Sequence, residues 1–338
     1  MARFFRSDSV SVGERVVVRR KIGDGFSDVI GHVISVDPLI LRPQEAGGYP
    51  SFHEEIEVTP EELHIIKRLS PRRIRNSDIR AVEVATAKSF PGRESRWFGG
   101  WLARAGEEIA ERSNSAAPLG HSVGFEPVPI KEITEFYRSR DMPVQLLIPE
   151  RIGAGAEKLV QTQTGWTLSP EIVVMTRELD EVPEAPEKTE AAGSLEFRID
   201  DTPDDDWLSM YHFRGQALPA AALEELSARI DGTLGFGRLL TAEGETVAIT
   251  RGTLTETDDG RVWLGYSAVE VAEAYRRKGL GTELGTHMLR WGAAHGATHA
   301  YLQVISTNVA GQGLYSKLGF VEHHRHRYAT YAPEASLK

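Results

Sequence analysis

A chain of 338 residues, 41% hydrophobic and 26% charged, is long enough for two or three cored domains and has the composition of neither a disordered nor a membrane protein. It contains no cysteine, which excludes disulfides, thiolate metal sites and a cysteine nucleophile. The net charge of -10 argues against indiscriminate nucleic-acid binding and leans toward cationic acceptors. No apolar run reaches bilayer length and MARFFRSDSV is not followed by the apolar core of a signal peptide, so a cytoplasmic protein is expected.

Residues 9–67 alternate apolar and polar positions in GERVVVRR, DVIGHVISVD, LILRP and EEIEVTP, separated by GDG, DP and GG turn signals. The pattern predicts a small antiparallel barrel, SH3-like by strand count and turn placement, as a domain over 1–90 that serves as a cap or a homodimer surface. Lys67, Arg68, Arg72, Arg73, Arg75 and Arg80 form a basic cluster without interleaved aromatics, which reads as a solvated loop rather than a nucleic-acid patch.

The segment 91–180 predicts helices over Trp97–Ala105 and Pro129–Arg140 and strands in MPVQLLIPE and TLSPEIVVMTREL. Its polar run Arg112–Gly120 either lines an acceptor pocket or forms a hydrogen-bonded loop. Pro, Glu and Ala dominate DEVPEAPEKTEAAGS without apolar periodicity, which marks 181–193 as a linker.

From 194 to 338 the predicted order is a strand (SLEFRID), helices over Pro203–Arg214 and Pro219–Ile230, strands GFGRLLT and TVAITRGTLT, and then Val262–Val271. This is an α/β (α+β) arrangement, a mixed and mostly antiparallel sheet in which Val262–Val271 and Ala300–Ile305 run parallel across a right-handed helical crossover. Between them the loop RRKGLG, Arg276 to Gly281, opens a helix whose Leu280, Leu284, Met288 and Trp291 share an apolar face. Gly279 and Gly281 leave backbone N–H groups accessible at the helix start. Arg276, Arg277 and Lys278 add positive charge and Thr282 sits in the first turn, so the implied ligand is a pyrophosphate. His323, His324 and His326 crowd a late strand; alternation puts only His324 and His326 on one face, so no metal is expected and the histidines read as solvated or pocket-lining.

Val269, Val271, Tyr275, RRKGLG, the helix, the strand YLQVI, Asn308, Tyr315 and LGF, taken in this order, resemble the GNAT superfamily of acetyl-CoA-dependent N-acetyltransferases. Arg276, Gly279 and Gly281 fill the family's loop pattern, Asn308 and Tyr315 fall at its spacing, and Glu273 stands where many members carry proline. The likeness covers about residues 194–333. The middle segment is similar to the distal half of such a domain but lacks the RxxGxG loop, so it is expected to be degenerate and to hold no cofactor.

The resemblance implies direct acetyl transfer from acetyl-CoA to a primary amine of an unidentified small-molecule or protein acceptor. The two parallel strands would splay to admit the pantetheine arm along the backbone of Val269 and Val271, whose side chains also read as core. Tyr315 would protonate the departing thiolate, and Asn308 would touch the pantetheine arm, cap its helix, or both. No residue is assigned as general base, since alternation points Glu270 away from the face of Val269 and Val271. The alternative is an inactive acyl-CoA-sensing module that recruits protein or nucleic acid through its N-terminal region.

Overall fold

The structure is a computed structural model that describes residues 10–44, 51, 53–69, 74–106, 110–180, 182, 195–213, 216–217 and 220–331. The expected linker 181–193 lies outside the described residues except for Val182. Two compact units form, divided between Arg75 and Asn76, with Glu322–His324 grouped with the first. The first unit ends before residue 90 because Asn76–Ser89 is a helix, α1, whose Ala81, Val82 and Ala85 pack on Trp263 and Tyr301 of the second.

In the first unit, β-branched runs form β1 (Arg15–Ile22), β2 (Gly25–Val36), β3 (Leu39–Pro43), β4 (Ile56–Val58) and β5 (Leu63–Arg68). They pair antiparallel in the order β4-β3-β2-β1-β5. Alternation sends Val16, Val18, Val29, Val33 and Leu41 to one core. The observed architecture is a five-stranded sheet with β4 and β5 at its ends. The basic cluster is not one solvated loop: Arg68 on β5 bonds Glu14 at 2.7 Å, and Arg80 on α1 donates to the Gly120 carbonyl at 3.2 Å. Arg72 and Arg73 lie outside the described residues.

The second unit continues after α1 with β6 (Glu94–Phe98), β7 (Trp101–Ala105), β8 (Ala116–Pro118), α2 (Ile130–Arg138), β9 (Val144–Pro149), α3 (Ala154–Thr162), β10 (Trp166–Leu168) and β11 (Ile172–Glu178). Then come β12 (Glu196–Asp200), α4 (Asp205–Met210), β13 (His212–Phe213), β14 (Gln216–Ala217), α5 (Ala220–Arg229), β15 (Thr233–Leu240) and β16 (Thr246–Glu256). The chain finishes through β17 (Val262–Val271), α6 (Leu280–Ala294), β18 (His299–Ile305), α7 (Val309–Lys317) and β19 (Val321–Tyr331). The helix expected over Trp97–Ala105 is instead the hairpin β6–β7, whose turn uses Gly99 at φ 54°. A glycine supplies that backbone conformation at little cost, and cross-strand pairing outweighs the helix-forming content of WLARA.

One 12-stranded sheet spans this unit in the order β12-β15-β16-β17-β18-β11-β19-β9-β8-β7-β6, with β10 added on β19. β11 from the middle segment lies between β18 and β19, and the late strand β19 lies between β11 and β9. Each half therefore completes the other's ladder, and residues 91–180 and 194–331 share one sheet. Inside this exchange Arg325 bonds the buried Glu171, which also faces Arg327 at 3.7 Å. Helix α6 covers one face, where Leu264, Tyr266, Met288 and Leu318 meet. Helix α1 covers the other face against Trp263 and Tyr301. Among the described residues no helix is long and apolar enough to cross a membrane.

The sheet packs tightly at the last rung between β17 and β18. A Cβ on Gly265 would lie 2.8 Å from the Tyr301 hydroxyl, which is buried and bonded to Ser89 at 3.0 Å. Gly265→Ala is expected to lower unfolding stability by about 1–3 kcal/mol through overpacking, read from the midpoint of denaturant unfolding.

Candidate acyl-transfer site

β17 and β18 pair in parallel only at Trp263, Leu264 and Gly265 against His299, Ala300 and Tyr301. Beyond that rung the two strands part, while β18 keeps its ladder to β11 as far as Ile305 opposite Ile172. Among the described residues the β17 edge from Tyr266 to Val271 therefore has no strand partner on its β18 side. That edge is a row of backbone donors and acceptors available to an extended ligand. Local backbone adds to the opening, since Ala268 sits at φ 56° and the β16–β17 register shifts between Ile249 and Arg251.

At the end of β17, Arg277 (φ 63°) and Gly279 (φ 89°) turn the chain into α6. Gly279 is the N-cap and has no side-chain capping bond. Thr282 N–H and Glu283 N–H both donate to the Gly279 carbonyl, at 2.9 and 3.1 Å, whereas the N–H groups of Leu280 and Gly281 have no intrahelical acceptor by helix geometry. A Cβ on Gly279 would meet nothing within 4 Å, so open space lies beside the start of α6. Gly281 has a different requirement: its Cβ would come 3.1 Å from Leu314, so its small size lets α7 approach α6. Thr282 is partly buried in the first turn.

The cationic rim is less free than its sequence suggests. Arg276 donates through Nε to the Val271 carbonyl at 3.0 Å and faces Glu270 at 3.4 Å, which fastens the loop to the strand end. Glu270 is thereby partnered to the loop. Lys278 lies over the Tyr275 ring, 5.0 Å from its centroid, and Arg277 is exposed. Val269 and Val271 pack on the core of the α6 face, so their side chains serve the interior while their backbone borders the opening.

Tyr315 on α7 packs edge-on against Tyr266, the first residue past the last β17–β18 rung, with ring centroids 6.0 Å apart at 90°. Burial pushes its hydroxyl up to about 12. The group thus stays protonated at neutral pH, as a proton donor must. Asn308 caps α7 by accepting from Gly311 N–H at 2.9 Å, so one of its two expected roles is realised through Oδ1.

On the opposite face the opening is lined by Ser89, Phe90, Arg112, Thr253, Ser267 and Gln303. Of the polar run Arg112–Gly120, only Arg112 reaches this cleft; Ser115 to Leu119 are buried, and Asn114 accepts from Gly106 N–H at 2.8 Å. Arg251 on β16 extends behind it, 1% exposed, with Nε, Nη1 and Nη2 all buried and without a hydrogen-bond partner among the described residues. Its guanidinium lies 5.0 Å from the centroid of the Phe90 ring, and that of Arg112 lies 4.0 Å from the same centroid. Phe90 returns about 0.5–2 kcal/mol to a cation. Burial costs an ion several kcal/mol, so the ring alone leaves Arg251 under-compensated. Burial and then the charge of Arg112 lower the Arg251 pKa, opposed by Tyr211 and Tyr301. Sequence reading missed Phe90 and Arg251, because nothing in a strand pattern tells a buried arginine from an exposed one.

A larger cavity of about 520 Å³, lined by Arg80, Val84, Trp97, Leu102 and Asp259, lies at the β16–β17 turn, the end of β17 away from the opening. The late histidines are not solvated: His324 and His326 are fully buried, and His326 Nδ1 lies 2.8 Å from Glu83 Oε1.

A protein-family model described as "Probable histone acetyltransferase Rv0428c C-terminal" matches residues 76–329, beginning where the second unit begins. A Mycobacterium tuberculosis (strain ATCC 25618 / H37Rv) protein described as probable histone acetyltransferase Rv0428c is 33% identical over 322 residues, 94% of each chain. The uncharacterized N-acetyltransferase YobR of Bacillus subtilis (strain 168) is 25% identical over 258 residues, 74% of this chain and 98% of its own. Among solved structures, a GCN5-related N-acetyltransferase from Kribbella flavida superposes with TM-score 0.56 at 17% identity, covering 76% of this chain and 97% of its own. A tandem GNAT protein from the clavulanic acid biosynthesis pathway gives TM-score 0.53 at 16% identity over 75% and 88%. The two structural likenesses speak to the fold alone.

Because Gly279 is held at positive φ beside open space, Gly279→Ala is expected to cost roughly 1–2 kcal/mol of backbone strain, and Gly279→Asn less. Denaturant unfolding of the two variants checks the difference.

Proposed function

Because the chain is a GNAT-type acyltransferase belonging to the acetyltransferase family described as probable histone acetyltransferase Rv0428c C-terminal, we propose that it transfers the acetyl group of acetyl-CoA directly to a primary amine. The observation that carries this reading is the parting of β17 and β18 beyond Gly265 and Tyr301, with Tyr315 packed at the apex.

The residues present fit acetyl-CoA along its length. Leu280 and Gly281 N–H offer donors to the diphosphate beside the open space at Gly279, with Arg277 and Lys278 at the rim. The unpaired β17 edge at Val269 and Val271 suits the amides of the pantetheine arm, and Asn308 Nδ2 remains for a further donation while Oδ1 caps α7. The acyl group then lies where Tyr315 meets Tyr266.

In the reaction the amine nitrogen forms a bond to the acetyl carbon and the carbon–sulfur bond breaks, with the Tyr315 hydroxyl giving its proton to the departing thiolate. Of the two protons the ammonium loses in becoming an amide, one restores Tyr315 and one goes to water. The middle segment reads as a degenerate second copy. In support, β8 and β9 are parallel around α2 and meet only at Ala116 and Leu146, as β17 and β18 do around α6, but no RxxGxG loop precedes α2. The N-terminal sheet is an accessory SH3-like element.

Calorimetric titration of acetyl-CoA and CoA tests the cofactor site: micromolar binding by wild type is expected, lost in Gly279→Glu and retained in Gly279→Asn. No binding by folded wild type overturns the reading. Tyr315→Phe is expected to lower turnover by about 10²-fold or more with cofactor affinity nearly unchanged. An acyl-CoA sensor would keep its function in that variant. With the Tyr315 pKa raised to about 12, the hydroxyl is protonated below that pH, so the pH–rate profile should show no alkaline loss until the profile nears that value.

A further inference from the structure

The second unit buries several arginines, and their partners differ. Arg104, 1% exposed, donates to the carbonyls of Phe90 and Ser115 and to Ser115 Oγ. Arg238 pairs with Asp200 and Asp204, and Arg325 with Glu171. Arg251 is as buried as Arg104, yet all three of its guanidinium nitrogens lack a partner among the described residues. A guanidinium stays charged in a protein, and hydrogen bonds and an opposite charge normally compensate its burial. The Phe90 ring supplies neither an acceptor atom nor a negative charge.

Its place in the fold says what would compensate it. Arg251 is opposite Ser267 across β16 and β17, two rungs beyond Gly265, on the stretch of β17 that β18 has left. Alternation puts it on the face of Thr253, which lines the cleft, and its guanidinium and that of Arg112 lie over one ring, Phe90, that lines the cleft as well. Two cations held near each other on a neutral ring repel, unless an anion sits between or beside them. Guanidinium forks suit a carboxylate, whose two oxygens accept bidentate bonds; Arg112 lines the cleft, Arg251 packs on the same ring, and because the cleft holds only about 10 Å³ a carboxylate enters by displacing part of its lining. The cleft runs from Phe90 and Arg112 to Tyr266, which packs on Tyr315, so an acceptor held at its arginine end would approach the acyl group from the side away from α6 and α7.

We propose that Arg251, with Arg112, binds a carboxylate on the acceptor, so that the substrate is an amine that also carries a carboxylate, of the amino-acid class. This rests on the acetyltransferase reading of the site. It narrows the acceptor in a direction opposite to the one the net charge of -10 suggests, because the local field at the opening is set by two arginines and not by the sum over the chain.

The test compares the proteinogenic amino acids with their α-carboxamides, and with a lysine-containing peptide amide, as acceptors in a thiol-release assay. Wild type, Arg251→Met and Arg251→Lys are used, each first titrated with acetyl-CoA by calorimetry. The expected result is that at least one amino acid is acetylated with kcat/KM roughly 10- to 100-fold above its carboxamide. That ratio falls toward one in Arg251→Met, mostly through KM, and is partly restored in Arg251→Lys, while all three proteins bind acetyl-CoA alike. A second readout does not need turnover. Unliganded Arg251→Met should melt higher than wild type, since it removes a buried uncompensated charge, and sodium acetate should raise the melting temperature of wild type more than acetamide at equal ionic strength does, an effect absent from Arg251→Met. If acetyl-CoA binds but no amino acid outperforms its carboxamide, or if the ratio survives in Arg251→Met, the proposal is overturned. If acetyl-CoA does not bind, it is the acetyltransferase reading that has failed.

Discussion

The antiparallel ladder between β11 and β18 is the interaction on which the site depends. Parallel strands that separate expose backbone groups on both facing edges, and such a gap closes or frays unless something else fixes the strands. Here β18 is held from His299 to Ile305 by Glu178 to Ile172, so it remains a strand after leaving β17. On the other flank β17 is held by β16 as far as Val271. The opening is thus stable because each of its walls is zipped on its outer side. The strand that secures one wall comes from the middle segment, so that segment is structural to the opening.

The two faces of the opening differ in electrostatics. Toward α6 and α7 the surroundings are apolar apart from tyrosine hydroxyls, and burial raises the pKa of Tyr315, which favours a neutral donor over a charged one. Toward α1 the cleft holds two guanidiniums on one phenyl ring. In the proposed reaction a thiolate leaving group and a charged acceptor have opposite needs, and the two faces of the sheet would serve them separately.

Local signals were the legible ones. RRKGLG, Asn308 and Tyr315 lie within one continuous stretch where glycine, a cap residue and an aromatic have fixed meanings, and the elements from Glu196 to Tyr331 follow the sequence pattern except that the helix expected over Pro203–Arg214 stops at Met210 and His212–Phe213 pairs with β14 instead. What sequence pattern hid was pairing at a distance. The hairpin at Phe98–Gly99–Gly100–Trp101 reads as a helix until its partner β8 is known, although its paired glycines are a turn signal. Helix α1 carries charge in its sequence more visibly than helical pattern, because its small residues Ala81 and Ala85 gain meaning only against Trp263. The late histidines read as solvated or pocket-lining because a late strand does not name its neighbours; β19 is interior, flanked by β11 and β9, and so His326 is buried. Arg276 kept its place but changed its work, bracing Val271 and Glu270 as well as adding charge.

The reciprocal exchange of β11 and β19 also bears on how the chain is made. As synthesis proceeds from the N-terminus, β9 emerges with one edge vacant, and its partner β19 is among the last segments to appear; Val144 must wait for Tyr331. β11 likewise waits for β18. Neither half can complete its sheet before β19 has emerged, so until then the nascent chain carries unpaired, apolar strand edges such as Val144–Pro149. Long-range pairing of this kind folds slowly, which lengthens the time those edges stay open to pairing with another chain.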